Sequence, residues 1–266
     1  MTGRPTLIAF GSCRKQRLPQ PVWGTVASMA PDAWLWTGDY VYQRSPATKE
    51  TLRRSYEVAG HTELALRASV PLIDGEMRTC SGPGCCACTR ATPADIANLR
   101  RAGVYDDHDY GLNDGGKHWE LRDYARQLFL DRVVDAPIDS MRRSRAGGMY
   151  GSRVLGRPPH QVKVLFLDTR YGRDDYVIPS PGGSSWLPKP GLVAAFLRVA
   201  CAVLGVGASH AGDILGSEEQ WAWLEAELVN STAAVHLIVS SVQVGAAQCQ
   251  TPTTGPGANR ETPCPA

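Results

Sequence analysis

The apolar positions of this chain fall into short blocks separated by polar turns. Thr6 to Phe10 is an apolar run that ends in Gly11-Ser12-Cys13, the pattern of a buried strand handing over to a loop at its carboxyl end. Pro21 to Met29 suits a helix. Ala33-Trp34-Leu35-Trp36-Thr37 is a second apolar strand, ending in Gly38-Asp39. Thr48 to Ala59 and Thr62 to Ala68 suit two further helices, and Val70-Pro71-Leu72-Ile73 suits a third strand. Strands alternating with helices in this way predict an α/β fold built on parallel strands.

Met77 to Gly103 interrupts that rhythm. Lys117 to Asp131 then reads as an amphipathic helix with Trp119, Leu121, Tyr124 and Leu128 on its apolar side. Met149 to Leu155 and Val162 to Asp168 predict an antiparallel hairpin across a Gly-Arg-Pro-Pro turn. Ile178 to Pro190 is loop-like, and Leu192 to Leu204 suits a helix. Ser217 and Gln220 have the spacing of a capping box at the start of another helix, whose Trp221, Leu224 and Leu228, with Trp223 alongside, recur at helical spacing; the tryptophans are expected in the core. Val235 to Val239 is a last strand, in which His236 is expected to pack, and it leads into Ser240-Ser241-Val242-Gln243. The remainder, 244–266, lacks periodicity and is expected to be disordered.

Composition narrows the function classes. With 28 basic and 26 acidic residues the net charge is +2, which carries no signature of nucleic-acid binding. No run approaches the roughly 18 apolar residues of a membrane span. The apolar block at the amino terminus is too short for a signal peptide, so the chain as given is expected to be soluble and intracellular. Four of the eight cysteines, Cys80, Cys85, Cys86 and Cys88, crowd into a Gly/Cys-rich segment. They lack paired C-x-x-C spacing, and the readings open for them are a surface insertion or a zinc-binding module.

The densest chemistry lies in Tyr105-Asp106-Asp107-His108-Asp109-Tyr110-Gly111-Leu112-Asn113-Asp114. Unpaired buried carboxylates cost too much for this run to belong to the core, so it reads as a solvated turn or as a loop organised around cations. Three strand ends add to it: Gly11-Ser12-Cys13-Arg14, Gly38-Asp39-Tyr40-Val41-Tyr42 and Leu167-Asp168-Thr169-Arg170. Alone, each has an ordinary explanation: Cys13 as a small buried apolar group, Asp39 as a turn cap, Arg170 as a surface ion pair. Ligands of open α/β sheets bind at the carboxyl ends of strands, where these loops can converge.

Taken in order, these motifs resemble the alkaline phosphatase D (PhoD-like) metallophosphatases. The resemblance runs through Gly11-Ser12-Cys13, Gly38-Asp39-x-x-Tyr42, the Asp106–Asp114 run and Leu167-Asp168-Thr169-Arg170. It continues through Ile214-Leu215-Gly216, Gln220-Trp221-x-Trp223-Leu224 and Ser240-Ser241-x-Gln243, so it covers most of residues 6–243. It implies a calcineurin-like α/β/β/α sandwich spanning residues 1–243, with 76–103 as an insertion. It also implies a phosphoester hydrolase acting on a small-molecule substrate with Fe3+ and Ca2+ as cofactors and a metal-activated hydroxide. By the same resemblance Cys13, Asp39, Tyr42 and Asp107 are metal ligands, His108 stabilises the leaving oxygen or the transition state, and Asn113 and Arg170 orient phosphate. The family's Gly-Asp-x-His motif has no counterpart after Gln243. The sandwich is therefore expected to be incomplete at its carboxyl end, and a catalytically impaired relic with a binding role is the alternative function.

Overall fold

The computed structural model describes residues 7–20, 22–29, 31, 33–43, 45–69, 102–134, 140–155, 159–175, 190–205 and 213–242. In the first half, β1 (Ile8–Gly11), β2 (Ala33–Thr37) and β3 (Ala102–Val104) form a parallel sheet in that order. Between β1 and β2 runs α1 (Val22–Met29), and α2 (Lys49–Ser69) follows β2. After β3 come a single turn of helix α3 (Asp107–Tyr110), α4 (Arg122–Phe129) continuing as a π-turn over Leu130–Val134, and the short α5 (Met141–Ser144).

The second sheet is mixed. Its β4 (Gly151–Leu155) and β5 (Val162–Phe166) are antiparallel, with Gly151 opposite Phe166 and Leu155 opposite Val162. Parallel to β5 lies β6 (Val235–Val239), in register from Val162–Val235 to Phe166–Val239. Helices α6 (Pro190–Val203) and α7 (Glu218–Val229) lie between β5 and β6 in sequence.

Period-two alternation on the central strands assembles the layers. Leu35 of β2 packs with Ala102, Val104, Leu155, Val164, Phe166 and Val239 in a cluster between the two sheets. The neighbouring Trp36 points the other way, into a cluster with Tyr56 and Ala59 of α2 and Leu128 and Phe129 of α4. On β5, Leu165 and the following Leu167 pack outward against Leu215 and Leu224 of α7. The fold is thus α/β/β/α, a sandwich with helices on both outer faces. Each fully buried aliphatic or aromatic side chain contributes about 1.5–3 kcal/mol to it.

Several expectations need correction. The two helices expected over residues 48–68 are one, because Gly60 has open space around it and lowers helix propensity without breaking the ladder. The third strand is Ala102–Val104, at the end of the expected interruption; Val70–Ile73 and the cysteine cluster lie outside the described residues. The helix expected from Lys117 begins only at Arg122, since the preceding turn is spent on Lys117 N donating to Arg173 O and the Trp119 indole donating to Tyr110 O. Ser217 caps α7 as expected, accepting from Gln220 N at 3.1 Å. The Gln220 side chain does not return to the cap, however, but donates to Asp168 O and Leu215 O. Trp221 is 47% exposed, with its indole on Asp213, whereas Trp223 packs half-buried on Tyr150. His236 is exposed on β6. The expected tail from residue 244 lies outside the described residues.

Candidate metal centre

The carboxyl ends of β1, β2, β3, β5 and β6 meet at one edge of the sandwich. Backbone bonds from Cys13 N to Gly38 O at 3.3 Å and from Arg14 N to Asp39 O at 2.9 Å tie the first two strand ends together. Below them Arg14 is buried, donating to Ala59 O at 2.8 Å with its guanidinium over the Tyr40 ring. The loops that carry Cys13 and Asp39 therefore rest on a fixed base.

Five of the residues singled out in the sequence converge here. Asp39, Asp107 and His108 each present a donor atom, and the three atoms lie within 4.8 Å of one another. The Tyr42 hydroxyl donates to Asp39 Oδ2 at 2.6 Å, and Cys13 Sγ lies 3.6 Å from the same oxygen. The Tyr42 and His108 rings stack with centroids 4.1 Å apart. Cys13 is exposed, not buried as a cysteine after a strand ordinarily is, so its sulfur is open to a ligand.

Two observations bear on whether a cation fits. First, Asp39 Oδ1 and His108 Nδ1 are buried without a hydrogen-bond partner. Buried polar atoms of native folds are nearly always satisfied, and a cation on Asp39 would satisfy its Oδ1. Second, Cys13 (φ +58°), Asp39 (φ +53°) and Asp114 (φ +57°) are the non-glycine residues with left-handed backbone among those described. All three border this cluster, Asp114 through its N–H on Asp107 Oδ2 at 2.9 Å. Strain held at one place points to function there. Thiolate and phenolate suit iron, and the carboxylates suit either iron or calcium. The donor set fits the implied metals.

The four carboxylates of the Asp106–Asp114 loop have separate fates. Only Asp107 joins the donor cluster. Asp109 is fully buried, against the expectation that this run stays out of the core. It is tolerated there because it accepts from Val41 N at 2.9 Å and Asp106 N at 3.0 Å. Burial, with Asp39 nearby, still raises its pKa well above the usual carboxylate range. Asp114 occupies the left-handed turn position.

Asp106 turns away to Arg170, whose Nε and Nη2 lie 2.7 and 2.5 Å from Asp106 Oδ1. Burial pushes the Asp106 carboxyl up to about 6; Arg170 opposes this, whereas Asp107 and Asp39 add to it. Arg170 also reaches Gly115 O through Nη1 at 3.5 Å. Asn113 lies half-buried in the turn after α3, its N–H on the Ser45 hydroxyl at 2.9 Å. Burial, followed by the bonds to Asp39 and Cys13, holds the Tyr42 hydroxyl far above its ordinary pKa, so it is a phenol in this state.

Asp168, the acid of the Leu167-Asp168-Thr169-Arg170 motif, serves structure. Its two oxygens accept from the Tyr105 hydroxyl at 2.6 Å, Met149 N at 2.8 Å, Tyr171 N at 2.9 Å and Arg170 N at 3.0 Å. Residues left without a role by the sequence reading are Asp106 and Ser241. The Ser241 hydroxyl is 3.1 Å from Asp106 Oδ1 and 2.7 Å from the Thr169 hydroxyl. Their signal was present in the serine pair that closes β6, but not its partner.

No helix among the described residues is long and apolar enough to cross a membrane. No known protein-family description matches the chain, and no curated protein matches it. Among solved structures, "Structure of PhoD" superposes with a TM-score of 0.48 at 17% identity, over 88% of this chain and 41% of that one. The chain therefore spans about two fifths of the length of that structure.

Proposed function

We propose that this chain is a metal-dependent phosphoester hydrolase of the PhoD-like kind, acting on a small-molecule phosphate ester. The observation that carries this reading is the convergence of Asp39, Asp107 and His108 within 4.8 Å, with Tyr42 and Cys13 on the same Asp39 oxygen. In this reading Cys13 and Tyr42 would hold iron, Asp39 would be shared by iron and calcium, and Asp107 would be a further ligand. The metals supply a water of lowered pKa and neutralise charge gathering on the phosphoryl oxygens.

The protein's own residues do the rest. Asp39 is held by Arg14 N donating to its carbonyl and Asp107 by Asp114 N donating to its Oδ2, each at 2.9 Å, so both need little reorganisation as charge moves. The imidazole of His108 gives a proton to the leaving oxygen, held in place by the Tyr42 ring and by Gln43 Nε2 donating to its carbonyl at 3.1 Å. Asn113, on the turn that follows α3, is assigned to orient phosphate.

The test is direct. Iron, calcium and zinc are measured in the purified chain by elemental analysis, and p-nitrophenyl phosphate and bis-p-nitrophenyl phosphate are assayed with calcium added. Iron together with turnover that disappears in Asp39→Asn supports the hydrolase. A chain that takes up neither iron nor calcium and turns over neither ester refutes it and leaves the relic. Zinc bound without iron points to the Cys80–Cys88 module.

A further inference from the structure

The Asp106–Arg170 pair joins loops from both sheets. Asp106 follows β3, Arg170 follows β5, and Ser241, which also bonds Asp106, follows β6. The fourth element is the loop after β2. Gly38 lies so close that a Cβ placed on it would stand 2.7 Å from Asp106 Cβ and 2.9 Å from Ser241 Cβ. Thr169, next to Arg170, closes the ring through its hydroxyl on Ser241 at 2.7 Å. Asp106 is the hub.

Asp106 immediately precedes Asp107 and His108, which occupy the first turn of a helix only four residues long. An isolated turn of helix has no stability of its own. What fixes this one is Asp106 itself. Its N–H donates to Asp109 Oδ2, its carbonyl accepts from Tyr110 N at 2.9 Å, and its carboxylate is gripped by Arg170. The grip has a second effect. Asp106 carries a carboxylate one residue from Asp107, and pairing with Arg170 keeps it from competing for a cation.

We infer that Arg170 and Asp106 are positioning residues for the metal centre: the pair anchors the turn that presents Asp107 and His108, and Arg170 does not touch the phosphate. This rests on the hydrolase reading and assigns Arg170 a different part within it. Partners that orient metal ligands from outside typically matter about 10- to 100-fold in metal affinity.

The test uses cobalt(II), titrated alone into the full chain and followed by its visible absorption, beside circular dichroism and steady-state kinetics at saturating metal. For Arg170→Met and Asp106→Asn the expected result is a cobalt dissociation constant raised about 10- to 100-fold with the circular dichroism spectrum retained. The KM for p-nitrophenyl phosphate at saturating metal is expected to stay unchanged. Arg170→Lys, which keeps the charge and one donor, is expected to recover part of the lost affinity. An unchanged cobalt affinity, or a raised KM with unchanged cobalt affinity, overturns the positioning role; the second outcome returns Arg170 to the substrate. If Arg170→Met does not fold, Ser241→Ala carries the test, with a loss at the low end of the range expected and no loss overturning the inference. Failure of the unaltered chain to bind cobalt overturns the hydrolase reading together with this one, whereas equal binding by chain and variants overturns this one alone.

Discussion

The Tyr105 hydroxyl donates to Asp168 Oδ2 at 2.6 Å, joining the end of β3 in one sheet to the end of β5 in the other. Both groups are buried, and Asp168 carries three backbone N–H bonds besides. The bond is the structural counterpart of the Asp106–Arg170 pair, which lies one residue further along the first loop and two along the second. Tyr105→Phe leaves the other three bonds intact and is expected to cost about 1–3 kcal/mol, measured by urea unfolding. Asp168→Ala strands four donors at once and is expected to cost more, without soluble folded protein as the extreme outcome.

Asp39→Asn removes the charge that two candidate ligands share. Its expected effect is loss of bound metal and of ester turnover with the fold retained, read by elemental analysis and circular dichroism. Retained metal and activity in this variant would sink the assignment of the centre.

Tyr42→Phe keeps the ring that stacks on His108 and removes only the hydroxyl. If iron sits beside Tyr42, the ferric protein has a visible phenolate-to-iron absorption band, and Tyr42→Phe abolishes it. His108→Ala is expected to lower kcat by about 10²–10⁴-fold at saturating metal, as for loss of a general acid.

Stability is expected to fall in alkali. Burial raises the pKa values of Tyr56, Tyr105 and Tyr110 far above the ordinary 10.0, so these phenols stay protonated in the native state. In the unfolded chain they ionise near pH 10. The stability they contribute is therefore complete below pH 10 and declines above it, by about 1.4 kcal/mol per pH unit for each group. Urea midpoints measured on either side of pH 10, with tyrosinate absorbance, check the sign.

Gly38→Ala tests the close approach of four loops. Its φ of +110° disfavours any side chain, and the added carbon would meet Asp106 and Ser241 inside van der Waals contact. An expected cost of about 1–3 kcal/mol, read as a lowered urea midpoint, should come with weakened metal binding, because the displaced neighbour is Asp106.

Local pattern carried much of the fold. The strands Ala33–Thr37 and Val235–Val239 and the hairpin of β4 and β5 are where the short apolar blocks and their turn residues put them. The third strand was missed because Ala102-Gly103-Val104 is three residues with no period to read. Trp221 and His236 were misplaced because helical or strand spacing says which residues share a face, not whether another element covers that face.

By itself the sequence determined most of the order of strands and helices and delivered Cys13, Asp39 and Tyr42 to strand ends, since strand ends follow from apolar blocks and turn residues; it put Asp107 and His108 in a polar run. It did not divide the acids. That Asp107 faces the donor cluster, Asp106 an arginine and Asp109 the core was decided by partners far along the chain: Arg170 is 64 residues from Asp106, Val41 is 68 from Asp109 and Ser241 is 135 from Asp106. A carboxylate's role depends on the charge and the donors around it, and only the packing of two sheets against each other brings those donors within reach.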